Sequence, residues 1–286
     1  MSTPVPAHDI RPSPIAGRWY PGDPRQLAAA VDEFVTRAQV PPISGQLIGL
    51  LTPHAGHRYS GPVAGHAFRA LRDSGLKAEV VVVIGPSHYP YPAPVITSGH
   101  DAYETPLGVV PVDHAVLETL AHRVSLEQVR RDPEHSLEIE LPFLQRTLGD
   151  FRLVPLALVD QSLDTAQQVG YALADILAGA NAVLIASSDL SHFYPQALAN
   201  KLDQVVLDAV AAFDPEQVIQ VEEQGRGFAC GRAAIAAVMI AARALGADTA
   251  QVLNYATSGD VTHDYQQVVG YGAAAFYRRS VPPAAD

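Results

Sequence analysis

The chain has little that could staple it, anchor it or give it a strong positive field. It holds one cysteine, Cys230, in 286 residues. An intramolecular disulfide is therefore impossible and a four-cysteine zinc site is excluded, and such usage fits a reducing compartment. Basic residues are scarce: 19 Lys and Arg stand against 30 Asp and Glu, a formal net charge of -11. A sequence-independent nucleic-acid binder needs a basic footprint to displace counterions, and docking on an anionic membrane needs the same. Neither nucleic acid nor membrane is expected as a partner. The acidic groups are spread along the chain and read as a soluble surface. Long apolar runs are missing too. The run Ala233 to Ala242 falls short of the roughly 18 residues that a membrane-spanning helix needs. Met1 to Tyr20 has neither a basic start nor an apolar core, so it does not read as a signal peptide. A cytoplasmic location is the expectation. No phosphate P-loop and no G-x-S-x-G elbow occur, and Gly225, Gly227 and Gly231 do not form a dinucleotide fingerprint.

What is present is a large apolar fraction, 48% of residues, enough for a sizeable core. Residues 1–24, rich in proline, read as an irregular arm whose end is pinned by Trp19 and Tyr20; residues after Arg279 read as a frayed tail. Between them one domain is expected. Residues 26–38 read as a helix with Leu27, Val31, Phe34 and Val35 on one face. Three continuous apolar runs follow: Leu47–Leu51, Val80–Ile84 and Ala182–Ala186. Such runs, bounded by turn residues, suit strands covered on both faces. Further strands are expected at 151–159, 251–256 and 267–277, and helices at 62–72, 113–123, 135–148, 164–178, 196–212 and 231–245. This alternation predicts an α/β fold, a three-layer α/β/α sandwich around a mainly parallel, mixed sheet.

Each of the three runs leads into a histidine: His54, His88 and His192. Ligands of open parallel sheets bind beyond the carboxyl ends of the strands. Histidines far apart in sequence can therefore converge there. Imidazole suits iron, copper and zinc, and two histidines with one further ligand leave open positions on ferrous iron. Candidates for the further ligand are Glu138, Asp189, Cys230 and His192. A helix starting near 135 places His135 and Glu138 one turn apart on a shared face; the alternative is a helix N-terminus that favours Glu134 and Glu138 electrostatically. Cys230 precedes an apolar helix, where a thiol's pKa falls and a thiolate forms, or else it is a small buried hydrophobe. Ser187, Ser188 and Ser191 beside His192 and Asp189 offer a serine-hydrolase alternative.

The motifs carry a resemblance. IRPSPIAGRWYPGDP from Ile10, TPHAGHRYSGPVAGHAF from Thr52, IGPSHYPY from Ile84, YETPLGVVPVD from Tyr103, EHSLEIELPFLQ from Glu134, SSDLSHFYP from Ser187, ACGRAAI from Ala229 and NYATSGD from Asn254, followed by VVGYGAAAF, are similar in content and order to the Memo family. Bacterial and archaeal members of that family are called AmmeMemoRadiSam system protein B. The resemblance implies a fold related to class III extradiol dioxygenases. It implies metal ligands at His54, His88 and Cys230, with Asp189 and His192 beside them and His135 lining the same cavity. Those dioxygenases use glutamate where Cys230 stands here, and a thiolate favours softer ions, notably copper(I). Fold kinship does not carry ring cleavage across.

The expectation is thus a metal-binding protein holding Fe2+ or copper, with Zn2+ as a further option, in an oxygen-dependent or other redox role as a dioxygenase-like oxidoreductase. His192 would be its acid or base, tuned by Asp189. The alternative is a non-catalytic module that takes a (phospho)peptide or another ligand in the same pocket. Partners implied are a small molecule or peptide and, by family analogy, radical-SAM and AMMECR-type proteins.

Overall fold

The structure, a computed structural model, describes residues 9–280. The described chain begins with a short strand, β1 (Ile10–Arg11), and the helix α1 (Pro24–Arg37). Asp23 caps α1 by accepting from the Gln26 amide, and Pro24 supplies a first residue that needs no amide partner. There follow β2 (Gly45–Thr52), α2 (His57–Asp73), β3 (Val80–Pro86), β4 (Val95–Ser98), β5 (Ala102–Thr105), β6 (Gly108–Pro111), α3 (His114–Ala121) and β7 (Leu126–Val129). A 3-10 turn at Glu138–Glu140 leads into α4 (Leu141–Thr147). Next come β8 (Arg152–Leu158), α5 (Leu163–Ile176), β9 (Ala182–Ser187), β10 (His192–Tyr194), α6 (Gln196–Ala211) and α7 (Pro215–Glu223). The described chain closes with α8 (Arg232–Ala244), β11 (Thr249–Thr257), α9 (Gly259–Thr262) and β12 (Val268–Arg279).

The main sheet runs in the order β10-β12-β2-β9-β3-β8-β4-β7, with β11 also paired to β12. Its centre, β2-β9-β3-β8, is parallel throughout. The flanking pairs β12 with β2 and β4 with β8 are antiparallel. Every residue of β3 is buried, because helices cover both faces. Helices α1, α2 and α4 pack together on one side, and α3, α5, α7 and α8 on the other. The α/β/α sandwich around a mixed sheet expected from the sequence is therefore the architecture observed. Helix α8 sits close on its neighbours because its inward residues are small. A Cβ at Gly170 of α5 would come within 2.8 Å of the Ala237 carbonyl.

From Asp9 onward, its described part, the arm is more ordered than an irregular segment. Its strand β1 pairs in parallel with β5 in a separate three-stranded sheet, β1-β5-β6. Tyr20 is buried and Trp19 packs against the body, as expected. The frayed tail expected after Arg279 lies almost entirely outside the described residues. Helix α2 begins at His57, five residues before the start read at Pro62, so that proline lies inside the helix. Helix α7 went unread although Asp214-Pro215 is a cap followed by a first-turn proline. No helix among the described residues is long and apolar enough to cross a membrane.

Candidate metal centre

The register of the parallel centre sets the site. Thr52 of β2 lies beside Ser187 of β9, and Ile84 of β3 beside Ala186. Three neighbouring strands thus end at one level and release His54, Asp189 and His88 into the same space. Cys230 approaches from the turn before α8 and donates its backbone amide to the Asp189 carbonyl at 3.3 Å. Gly231, the cap of α8, packs so closely on β9 that a Cβ there would lie 2.9 Å from the Ser187 carbonyl. That close approach brings the thiol to the strand ends.

His54 is buried, and its Nε2 lies 3.2 Å from Cys230 Sγ. One donor atom from each of His54, His88 and Cys230 lies within 4.8 Å of the others. The second nitrogen of each ring is engaged. His54 Nδ1 is 3.1 Å from the Ser187 hydroxyl, which itself donates to the Ser136 carbonyl at 2.5 Å. A hydroxyl whose proton is committed elsewhere accepts here, so His54 carries its proton on Nδ1. His88 Nδ1 donates to Glu134 Oε1 at 2.9 Å. Both rings thereby turn Nε2, the nitrogen left for a metal, inward. This is the outer support that metal-binding histidines use to fix tautomer and orientation.

Glu134 holds this arrangement. It accepts from the His88 amide at 2.6 Å, from the His135 amide at 2.8 Å and from the Ser136 amide at 2.9 Å, besides the His88 ring. Burial pushes its carboxyl upward, but the His88 hydrogen bond and charge overcome that and hold it well below the carboxylate range. The same bond raises His88 against the lowering effect of burial. Glu134, His88 and His135 also lie close enough to form a ligand set. With its oxygens already occupied by four N–H donors, Glu134 reads instead as the support of His88.

The reading of 135–148 as one helix does not hold. Residues 136–137 form a turn, Glu138–Glu140 a 3-10 segment, and the helix proper begins at Leu141. His135 and Glu138 consequently share no helical face. Glu138 points away to Arg11, accepting at 2.5 Å, and to Tyr20 at 2.7 Å, and is no candidate ligand. His135 does reach the cavity, with its ring centroid 4.1 Å from Trp19 and 4.6 Å from His88. Burial first, then the His88 charge, lower its pKa to about 4, so it is neutral.

Asp189 Oδ1 accepts from the His54 and Ala55 amides at 2.8 and 3.3 Å. Burial outweighs these bonds and pushes its carboxyl up to about 7. His192 stands at the edge of the cavity, and burial lowers its pKa. Of the two readings open for Cys230, the thiolate is not favoured in the metal-free protein. Helix α8 starts two residues later, and desolvation followed by the neighbouring Asp189 pushes the thiol up. A bound cation would have to displace that proton, as it does at other thiol sites. Ser187 and Ser188 are committed to neighbouring groups, and Ser191 is buried. None of these serines stands as a nucleophile at the cavity.

The cavity in front of these groups measures about 630 Å³. His54, His88, His135, Asp189 and His192 line it, with Trp19, Tyr59, Phe193 and Tyr271 as its apolar walls. Sequence reasoning missed Glu134 as the holder of His88, Glu140 behind Ser187, and the aromatic walls.

Fold and site together define an α/β sandwich protein with a histidine–cysteine cluster at its parallel strand ends, fit to hold a metal ion. A family profile described as Memo-like protein matches residues 11–275. A MEMO1 family protein of Methanopyrus kandleri is 37% identical over 278 residues, covering 92% of this chain and 98% of its own. Another, from Nitrosopumilus maritimus, is 35% identical over 275 residues, covering 93% and 99%. The chain belongs to the Memo family. The crystal structure of an uncharacterized protein from Escherichia coli K12 shares the fold alone, with a TM-score of 0.52 and 12% identity over 79% of this chain and 99% of that one.

Proposed function

We propose that this is a metal-dependent protein that binds ferrous iron or copper through His54, His88 and Cys230 and acts in a redox or oxygen-dependent role on a small molecule in the adjoining cavity. The observation that carries the reading is the donor set. Two imidazoles with their outer nitrogens tied, and one thiol, bring their free atoms within 4.8 Å of one another. Bond lengths of roughly 2.0–2.3 Å to nitrogen and sulfur fit that spacing. Three protein ligands leave coordination open on the cavity side. The ion would supply one-electron redox chemistry and a place for a small ligand.

The chain's own groups supply the rest. Asp189, near 7, can hold or release a proton beside the ligand set. His192, neutral at neutral pH, stands at the edge to accept one. His135, also neutral, is wedged between Trp19 and His88 and shapes the floor. The aromatic walls exclude water and suit a flat or apolar substrate body. Among the described residues lining the cavity, Arg18 is the one Lys or Arg, and it is exposed on the arm. Deep recognition of a phosphate is therefore poorly supported, and the peptide-binding reading stands second. Cytoplasmic location and action with radical-SAM and AMMECR-type proteins are part of the same proposal.

The test is metal content after purification without chelators, with competition titrations. The wild type should take one ion, and His54→Ala, His88→Ala and Cys230→Ser should each lose tight binding while keeping their fold. Full stoichiometry in either histidine variant would overturn the ligand assignment.

A further inference from the structure

The arm contains a buried arginine for which the sandwich offers no obvious use. Arg11 is 2% exposed. Its guanidinium lies 4.6 Å over the Tyr103 ring, at the parallel pairing of β1 with β5. Nε donates to Asp132 Oδ2 at 2.8 Å, and Nη1 donates to Glu138 Oε2 at 2.5 Å. Nη2 donates to the carbonyls of Asp132 and Glu134 at 2.9 and 2.7 Å. One side chain therefore grips the segment 132–138 at both ends and in its middle.

That segment is the one that supports the site. Asp132 Oδ1, on the carboxyl that Arg11 holds, accepts from the Glu134 amide at 2.9 Å. Glu134 in turn takes both the amide and the ring N–H of His88. Ser136 accepts from Ser187, which fixes His54, and donates to the Pro86 carbonyl at 2.8 Å just ahead of His88. A Cβ at Gly85 would come within 2.7 Å of Ser136 Oγ, so segment and strand end are pressed together with no slack. On the far side Glu138 also accepts from Ser13 and Tyr20, which carries the arm on to Trp19 over His135. A planar fork that satisfies two carboxylates and two carbonyls is something arginine does and lysine cannot copy.

We infer that Arg11 is a positioning residue of the candidate metal centre. It fixes the backbone of 132–138 so that Glu134 can hold His88 with its Nε2 turned inward. This rests on the ligand assignment proposed above, but the geometry of His88 can be read without any metal.

The experiment uses the full chain as Arg11→Lys, with Asp132→Asn as a milder break on the same path and Glu134→Gln as the reference for a lost His88 bond. The first readout is the Nδ1–H proton of His88 in metal-free, histidine-labelled protein by NMR. Bonded to a buried carboxylate, it should appear far downfield and exchange slowly in the wild type, and vanish in Glu134→Gln. In Arg11→Lys it should shift upfield or broaden while the amide spectrum and circular dichroism stay native, with a smaller change of the same sign in Asp132→Asn. The second readout is zinc affinity by competition, expected to fall about 10-fold or more in Arg11→Lys, as for other losses of outer support. A native-like Arg11→Lys with an unmoved His88 signal and wild-type zinc affinity would overturn the inference and leave Arg11 as a tie for the arm alone. Should Arg11→Lys unfold, Asp132→Asn decides, and an unchanged signal there overturns it equally. Loss of the His88 signal in a protein whose wild type takes no ferrous iron, copper or zinc would uphold the positioning role and refute the metal reading.

Discussion

Glu134→Gln removes one charge at the point where the site is held. In the wild type Oε1 takes three N–H donors and Oε2 takes one. Glutamine offers one oxygen. Even in its better orientation, the new NH2 group faces the His88 amide, leaving at least one buried donor unpaired at about 1–3 kcal/mol. The remaining bonds lose their ionic component and weaken by roughly half. His88 is about one-third exposed on its side chain, so its share is trimmed by solvent. A destabilisation of about 2–3 kcal/mol follows.

The pH dependence carries more information than the size. Glu134 is depressed on folding, so its stabilising share is present above the ordinary carboxylate range and lost only as pH falls through its lowered value. His88 is raised, so its share is full below its ordinary value of about 6.5 and fades as pH climbs through the raised one. The pair therefore adds stability over an acidic-to-neutral window and less in mild alkali. Urea denaturation of metal-free wild type and Glu134→Gln from pH 4 to 9 should show the difference between them shrinking on the alkaline side. A constant difference, or one within about 0.5 kcal/mol of zero throughout, would refute the hydrogen-bond reading of this pair.

Two other outcomes are open to the same methods. Glu140 is buried behind Ser187, and burial raises its carboxyl well above the ordinary range, so it is held as a neutral acid. Its raised value costs stability as pH rises above the unfolded carboxylate range. Glu140→Gln, close in shape to that acid, should be near neutral at pH 4 and gain on the wild type by pH 8; a loss growing with pH in thermal denaturation would contradict this. His192→Gln should leave metal affinity near wild type while lowering any turnover sharply; loss of the metal in that variant would make His192 a ligand and demote Cys230.

The strand ends were legible in the sequence because β2, β3 and β9 are continuous apolar runs whose burial on both faces leaves no other reading. His54, His88 and Asp189 follow directly from them. Strands β4 to β7 span four residues each, too short for alternation to show. The stretch from His135 failed for a different reason. Leu137, Ile139, Leu141 and Leu144 mimic helical periodicity, but the backbone of 132–136 is captured by side chains, Arg11 and Asp132 among them, before a helix can start. Long-range hydrogen bonds of this kind leave no local pattern. For Cys230 the sequence left a thiolate and a buried thiol both open, because burial, and then the neighbouring Asp189 carboxylate, outweigh a helix that begins two residues on, and neither shows in the local sequence.

The residues of the candidate site and of its support come from remote stretches of chain: His54 and Cys230 are 176 positions apart, and Arg11 and Glu138 are 127. Loops of that length close only after the central strands have paired, and such distant pairings form late. No early folding nucleus can contain the whole cluster, so an ion arriving during synthesis finds nothing to organise. Metal should accordingly leave the refolding rate almost untouched and slow unfolding in stopped-flow measurements. The centre would then act as a lock fitted to a finished protein, and a cell short of metal would accumulate folded chains that open faster.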